Sequence, residues 1–328
     1  MSSRPSLPCF DAGSEYCPCV LADLGQCVSC SMLRGESVCN CGWSGICVFD
    51  DYTRNGQTAK PGRAEVLGTV IERRDISDTG TCKAFLSRLC VPPFLARWCL
   101  FPGSFVMLRP EGTREAYNVP VSIMEASTDG VLEVAVEVQG PKTIALEYAL
   151  HQNNKITVTG PFWSGLQGLS DLARLGTGNS LIVAKGMGQA AVPQIAKYIL
   201  HRGGSLMALI GPGTLGHVFI CDNLQRLGAA FHVLPRSKDH NIGRLKQEVE
   251  TGKYGLIISS GSPLQHQGIL SMLAGLPEGQ AIPNFSWTSH LTMTCAEGIC
   301  GSCLVSGFRG CKAKFDRSFE AYLSSKTV

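Results

Sequence analysis

Charge is scarce in this sequence. Asp, Glu, Lys and Arg make up 17% of its 328 residues, and the net charge is only +3. So mild and evenly spread a balance argues against a nucleic-acid face or an anionic membrane surface. Aromatic residues are few, at 7%. No apolar run approaches the ~18 residues of a membrane span; the richest, Leu206 to Ile220, is broken by Gly211, Pro212, Gly213 and His217. The opening Met-Ser-Ser-Arg-Pro lacks the apolar core of a secretion signal. The seven histidines form no pair at metal or triad spacing, and neither G-x-S-x-G nor H-E-x-x-H occurs. His217 and His290 are isolated and read as satisfied surface or core residues. The expectation is a soluble, cytoplasmic protein with neither nucleic-acid nor membrane partners. With 44% hydrophobic residues and about twice the length of one domain, it has ample core for two or more folded units.

Cysteine, by contrast, is abundant. Of sixteen, eight fall in the first 47 residues (Cys9, Cys17, Cys19, Cys27, Cys30, Cys39, Cys41, Cys47) and four near the end (Cys295, Cys300, Cys303, Cys311). Without a secretion signal, dense thiols at both ends point to metal or iron–sulfur ligation rather than disulfides. Cys82, Cys90, Cys99 and Cys221 sit among apolar residues and read as small core hydrophobes.

Three rhythms divide the rest. Residues 1–60 carry little periodic hydrophobicity, so this Cys-rich module needs bound metal to supply folding energy. Residues 61–165 hold short β-rich runs (64–71, 104–108, 132–138 and 156–159) punctuated by Gly and Pro, which predicts a small antiparallel barrel. Residues 166–285 alternate apolar strands (180–184, 205–210, 230–234, 254–258) with helices, notably 243–250 and 265–274, the pattern of a parallel sheet covered on both faces. Residues 286–328 form a small C-terminal Cys domain. No internal repeat is visible.

The sharpest signal is Cys295-x4-Cys300-x2-Cys303-x7-Cys311. Its first three members have the C-x4-C-x2-C spacing of plant-type [2Fe–2S] loops, and Gly298, Gly301 and Gly310 supply the backbone freedom such a loop needs. A structural zinc site would more often show paired C-x2-C knuckles. In the N-terminal set, Cys17, Cys19, Cys27, Cys30, Cys39, Cys41 and Cys47 are candidate ligands for a second iron–sulfur cluster or for zinc, with a loose regulatory or disulfide region as the alternative. Trp43 and nearby glycines fit a compact shell around metal. Spacing alone does not say which four ligate.

The segment Thr294-Cys295-Ala296-Glu297-Gly298-Ile299-Cys300-Gly301-Ser302-Cys303 resembles the cluster loop of class 1B dihydroorotate dehydrogenase electron-transfer subunits. It is also similar to that of the small subunit of NADH-dependent ferredoxin:NADP oxidoreductase. Both belong to the ferredoxin–NADP reductase superfamily, and the resemblance spans about residues 63–320 in the right order. It implies a flavin-binding barrel, a nucleotide-binding α/β domain and a [2Fe–2S] domain, in an electron-transfer oxidoreductase subunit using FAD and NAD(P)H. It further implies a hetero-oligomer with other oxidoreductase subunits, with ferredoxin as a further partner.

Residues 101–109 resemble the family's PGQF-V-M-L-R strand. Val119-Pro120-Val121-Ser122-Ile123 matches its R-P-x-S-I flavin motif except that the arginine is Val119. The family's G-R-G-T is Gly140-Pro141-Lys142-Thr143, where Lys142 offers a substitute charge for a flavin phosphate. Gly160-Pro161 matches the turn toward the nucleotide domain. Gly186-x-Gly188, between strand and helix, suits a pyrophosphate, with Lys185 in place of the family's first glycine. Gly211 opens the loop after the second strand. Arg236, Ser237 and Lys238 form a basic turn placed as in relatives that hold the NADP 2′-phosphate; a merely solvated turn explains it as well. Ser260-Gly261 replaces the family's C-G-P beside the nicotinamide. No catalytic acid or base is assigned, because hydride transfer to a flavin needs none. If Val119, Pro141, Lys185 and Ser260 mark decayed cofactor binding, the protein is instead a non-catalytic iron–sulfur relay or scaffold.

Overall fold

Antiparallel strands with a period-two apolar pattern close a six-stranded barrel in the computed structural model of the chain. The structure describes residues 9–41, 45–77, 82–152, 155–236, 238–277, 279–289, 293–305 and 308–314. The expected Trp43, Ser237 and His290 lie outside these, as does the side chain of Lys238. The chain opens with two short helices, α1 (Val20–Asp23) and α2 (Val48–Arg54).

The barrel consists of β1 (Glu65–Asp75), β2 (Lys83–Cys90), β3 (Phe105–Pro110), β4 (Val119–Ala126), β5 (Val131–Val138) and β6 (Lys155–Phe162), in the order β1-β2-β5-β4-β3-β6. Helix α3 (Pro93–Trp98) follows β2, and α4 (Pro141–Gln152) links β5 to β6. The inward set includes Phe85, Leu89, Val106, Leu108, Val121, Ile123, Val134, Val136, Ile156 and Val158. Alternate residues on the outside of β2, β4 and β5 (Ala84, Leu86, Met124, Ala135) are buried too, against the second unit. Barrel and sheet therefore share one continuous core.

That second unit contains β7 (Leu166–Gln167), α5 (Leu169–Leu175), β8 (Asn179–Lys185), α6 (Val192–His201), β9 (Ser205–Gly211), α7 (Cys221–Arg226), β10 (Ala230–Val233), α8 (Lys238–Glu250), β11 (Leu256–Ser260), α9 (Pro263–Ala274) and β12 (Asn284–Thr288). Its sheet runs β10-β9-β8-β11-β12-β7, parallel except for the edge strand β7, which pairs antiparallel with β12. Ile182, Ala208, Ile210 and Ile258 face α6 and the barrel. Leu181, Leu209 and Ile257 face α8 and α9. Burial on both faces explains why these strands read as unbroken apolar runs.

The C-terminal segment adds a hairpin of β13 (Leu304–Val305) and β14 (Phe308–Arg309). Its cysteines pack on the barrel: Cys303 and Cys311 share a cluster with Phe105, Met107 and Phe162, the two phenyl rings stacked 5.2 Å apart. The N-terminal segment folds onto the same place through a Cys9–Ala313 bridge and the Phe10 N–H donating to the Lys312 carbonyl at 2.8 Å. No helix among the described residues is long and apolar enough to cross a membrane.

The four mid-chain cysteines do not all behave as core hydrophobes. Cys99 is fully buried, Cys82 and Cys221 are half-buried, and Cys90 is exposed because it ends β2 at the barrel rim.

Candidate functional site

The C-terminal loop is shaped by residues with left-handed backbone. Ala296, Gly298 and Gly301 have φ of 55°, 82° and 76°. At Gly298 the φ of 82° favours glycine, and a Cβ there would also crowd the Leu21 Cδ1 of the N-terminal segment at 2.9 Å. The hairpin turns the chain back so that the Cys303 and Cys311 sulfurs lie 3.2 Å apart, and the Gly310 N–H donates to the Cys303 carbonyl at 3.0 Å. The buried Gln167 amide donates to the carbonyls of Gly310 and Ala313, fixing the hairpin base to β7. Arg309 donates to the Gly298 carbonyl at 2.8 Å.

The four thiols thus come as pairs. Cys295 hydrogen-bonds Cys300, and the Glu297 N–H lies 3.4 Å from the Cys295 sulfur. The hydrogen bond shared with Cys311 lowers the Cys303 thiol to about 6 and pushes Cys311 up. Among the described residues no three His, Cys, Asp or Glu groups surround a single-ion position. Pairs are what a binuclear cluster needs: each iron takes two thiolates and two bridging sulfides. The residues fit a [2Fe–2S] centre.

Beside it lies a buried ion network. Arg63, at the entry to β1, pairs with Asp11 (2.6 Å) and Glu297 (3.0 Å); Lys312 pairs with Asp11 (2.6 Å) and Glu297 (2.5 Å). Arg63 also donates to the Pro161 carbonyl, and its guanidinium lies 4.3 Å from the Tyr16 ring centre and 4.4 Å from that of Phe162. Burial pushes the Asp11 carboxyl up, but Lys312 and Arg63 outweigh it and hold the group below the ordinary carboxylate range. Sequence reading missed this network, since its members are far apart in the chain.

The flavin-motif residues gather at one end of the barrel, where β4 begins and β5 ends. Pro120 and Ser122 pair with Met107 and Phe105 of β3. Thr143 Oγ1 accepts from the backbone N–H groups of Gln139 and Gly140 at the start of α4. The Lys142 ammonium lies 3.3 Å from the Asn118 carbonyl, adjacent to the position where the family motif has its arginine. Gly160 and Pro161 belong instead to the barrel wall: a Cβ on Gly160 would meet Val106 at 2.9 Å.

The nucleotide-motif glycines converge at the C-terminal ends of β8, β9 and β11, the crevice where parallel sheets take ligands. A Cβ on Gly188 would lie 2.1 Å from the Ser260 carbonyl oxygen, and one on Gly213 would lie 2.7 Å from Gly186. These glycines let backbone meet backbone. At Gly211 a Cβ meets nothing closer than 3.7 Å, and at Gly261 it meets the Gln265 amide. Arg236 is exposed beyond β10, at the sheet's far edge.

A cavity of about 820 Å³ is lined by Arg74 to Ser77 at the end of β1 and by Leu215 to Phe219, Cys221 and Asp222 after β9. Buried Gln189 holds that loop: its amide nitrogen donates to the His217 carbonyl at 3.1 Å, and its oxygen accepts the Phe219 N–H at 3.0 Å. None of the flavin-motif residues lines this cavity. No sequence signal marked its loop, because backbone rather than a motif side chain shapes it.

In the N-terminal segment the candidate ligands form two groups that share Cys30. Cys17 and Cys27 lie near Cys19, and the Cys30 N–H donates to the Cys27 sulfur at 3.4 Å. Cys30 also lines a cavity with Cys39, Cys41 and Cys47.

No family model matches the chain. Over 220 residues it is 26% identical to the probable dihydroorotate dehydrogenase B (NAD(+)) electron transfer subunit of Archaeoglobus fulgidus, covering 64% of this chain and 83% of that protein. The fold is similar to the NADH-dependent reduced ferredoxin–NADP oxidoreductase, with a TM-score of 0.59 at 18% identity over 79% of this chain and 92% of that one. A ferredoxin–NADP+ reductase from Plasmodium falciparum, in complex with 2′P-AMP, superposes with a TM-score of 0.50 at 11% identity over 68% and 96%. The chain thus shares the fold of ferredoxin–NADP reductase-like proteins and is similar in sequence to an electron-transfer subunit of that kind.

Proposed function

We propose that this chain, with its ferredoxin–NADP reductase-like fold, is the electron-transfer flavoprotein subunit of a heteromeric NAD(P)H-dependent oxidoreductase. Four units carry the work: residues 1–60, 61–165, 166–285 and 286–328, holding a metal module, FAD, the nicotinamide nucleotide and [2Fe–2S] respectively. Bound FAD would take a hydride, two electrons at once, and release them singly to the cluster.

The chain's own contributions are placement and environment. Pro120, Val121, Ser122, Lys142 and Thr143 would bracket the flavin, with the Lys142 ammonium on its phosphate. Gly186, Gly188, Gly211 and Gly261 would give the dinucleotide a side-chain-free floor, and Arg236, Ser237 and Lys238 would meet its adenosine end. Cys295, Cys300, Cys303 and Cys311 would hold the [2Fe–2S] cluster, with Met293, Phe105 and Phe162 keeping water from its inner side. Cys17, Cys19, Cys27, Cys30, Cys39, Cys41 and Cys47 would hold a second centre, an iron–sulfur cluster or zinc. Other oxidoreductase subunits, or ferredoxin, would exchange electrons with it.

The observation that carries this reading is the paired-thiol loop seated directly on the flavin-type barrel. Its test is electron paramagnetic resonance of the anaerobically purified chain after reduction. A binuclear-cluster signal that disappears in Cys300→Ser, with FAD released on denaturation, supports it. A chain without that signal, or with zinc in its place, defeats it.

A further inference from the structure

The buried square beside the C-terminal thiols joins two cations and two carboxylates drawn from three separate parts of the chain. Lys312 directly follows Cys311 and is completely buried. Its charge is within electrostatic reach of Cys311 on one side and of Cys19 in the N-terminal segment on the other. Glu297 belongs to the cysteine loop itself, where its N–H donates to the Cys295 sulfur at 3.4 Å. The Arg63 guanidinium lies over Phe162, the ring that packs with Cys303 and Cys311. Asp11 is the member supplied by the N-terminal segment, and its carboxylate takes Arg63 at 2.6 Å and Lys312 at 2.6 Å.

Without Asp11 the square has an excess positive charge, Arg63 and Lys312 against Glu297. The side chains of Arg63, Asp11 and Lys312 are at most 4% exposed, so water screens this charge poorly. Four thiolates around two irons carry a net negative charge that grows by one on reduction. A neighbouring cation therefore makes reduction easier, and a neighbouring carboxylate makes it harder. We propose that Asp11 lowers the reduction potential of the C-terminal [2Fe–2S] cluster by offsetting Lys312 and Arg63, so that seating the N-terminal segment makes that centre the stronger electron donor. This rests on the reading that Cys295, Cys300, Cys303 and Cys311 hold the cluster.

The test is an anaerobic redox titration of the full chain, followed on the binuclear resonance that Cys300→Ser abolishes. Asp11→Asn and Glu297→Gln should raise the midpoint potential, and Lys312→Met should lower it. Asp11→Asn/Lys312→Met restores neutrality and should return toward the parent value, while Lys312→Arg should stay at it. Opposite shifts from opposite charges are the mark of a field; loosening that admits water would move every variant the same way. If Asp11→Asn loses its cluster, Glu297→Gln and Lys312→Met decide the matter, because the Glu297 contact to Cys295 is made by backbone and survives the change. Potentials that stay at the parent value, or that all shift in one direction, overturn the proposal and leave the electron-transfer reading intact. A parent chain without the resonance overturns both.

Discussion

Asp11 and Lys312 stand 301 positions apart in the chain and share a 2.6 Å ion pair with side chains 4% and 0% exposed. The contact clamps the Cys-rich start of the chain onto the C-terminal cluster loop, and Arg63 and Glu297 complete the square. Removing one partner leaves a buried charge uncompensated, at a cost of about 3–5 kcal/mol. Asp11→Asn should therefore lower the denaturant midpoint and expose residues 9–60 to protease. Asp11→Asn/Lys312→Met should cost less than the two single changes summed. Strict additivity would mean that the pair does not couple the two ends.

Lys142, whose ammonium lies 3.3 Å from the Asn118 carbonyl, is the candidate for the charge that Val119 does not supply. A charge-assisted phosphate contact contributes about 1.5–3 kcal/mol, so Lys142→Met should weaken FAD binding by roughly 10- to 150-fold. Val119→Arg placed on that background should recover most of it. Fluorescence titration of the deflavinated protein reads both, and unchanged affinity in Lys142→Met removes Lys142 from the site.

Gly188 and Gly211 separate packing from ligand approach. A methyl at Gly188 collides with the Ser260 carbonyl, which the backbone cannot avoid, so Gly188→Ala should lower the melting temperature, with a cost of about 1–3 kcal/mol. Gly211 has room for a methyl. Gly211→Ala should melt like the parent yet bind NAD(P)H more weakly. Equal nucleotide affinity in Gly211→Ala would place the dinucleotide elsewhere.

Glu147 supplies a pH signature of the barrel. Burial pushes its carboxyl up, but Lys83 at 2.6 Å and Arg73 at 3.1 Å more than offset that and leave it below its ordinary value. A lowered folded value means stability that is fully present above the unfolded value of about 4.3 and is lost as pH falls through the folded one. The parent should exceed Glu147→Gln in urea midpoint at pH 7, and the gap should close in acid below that range. A gap that persists or widens in acid contradicts the assignment.

Much of this architecture was legible where burial leaves a one-dimensional trace. Strands β8, β9 and β11 are buried on both faces of the sheet and announce themselves as apolar runs, and the exposed edge strand β10 is apolar through Ala230, Phe231 and Val233. Strand β2 does not, because buried Ser87 and exposed Arg88 interrupt its apolar residues. Helix α4 was hidden by Pro141 at its start and by apolar residues on both sides, with Ile144 and Tyr148 exposed and Leu146 and Leu150 buried. The cysteine loop could be read from spacing because its donors are local. The Arg63–Asp11–Lys312–Glu297 square and the grip of Gln189 on loop 215–222 join distant segments through single side chains, and no local pattern encodes such contacts.

The central claim, that electrons pass from a nicotinamide nucleotide through flavin to iron–sulfur, is tested most directly by the anaerobic visible spectrum of the purified chain before and after NADH or NADPH. The account predicts flavin absorbance near ~450 nm that bleaches together with the iron–sulfur bands, and faster with one nucleotide than the other. Iron–sulfur absorbance without flavin, unmoved by either nucleotide and unchanged after FAD or FMN reconstitution, would contradict it and leave a non-catalytic relay.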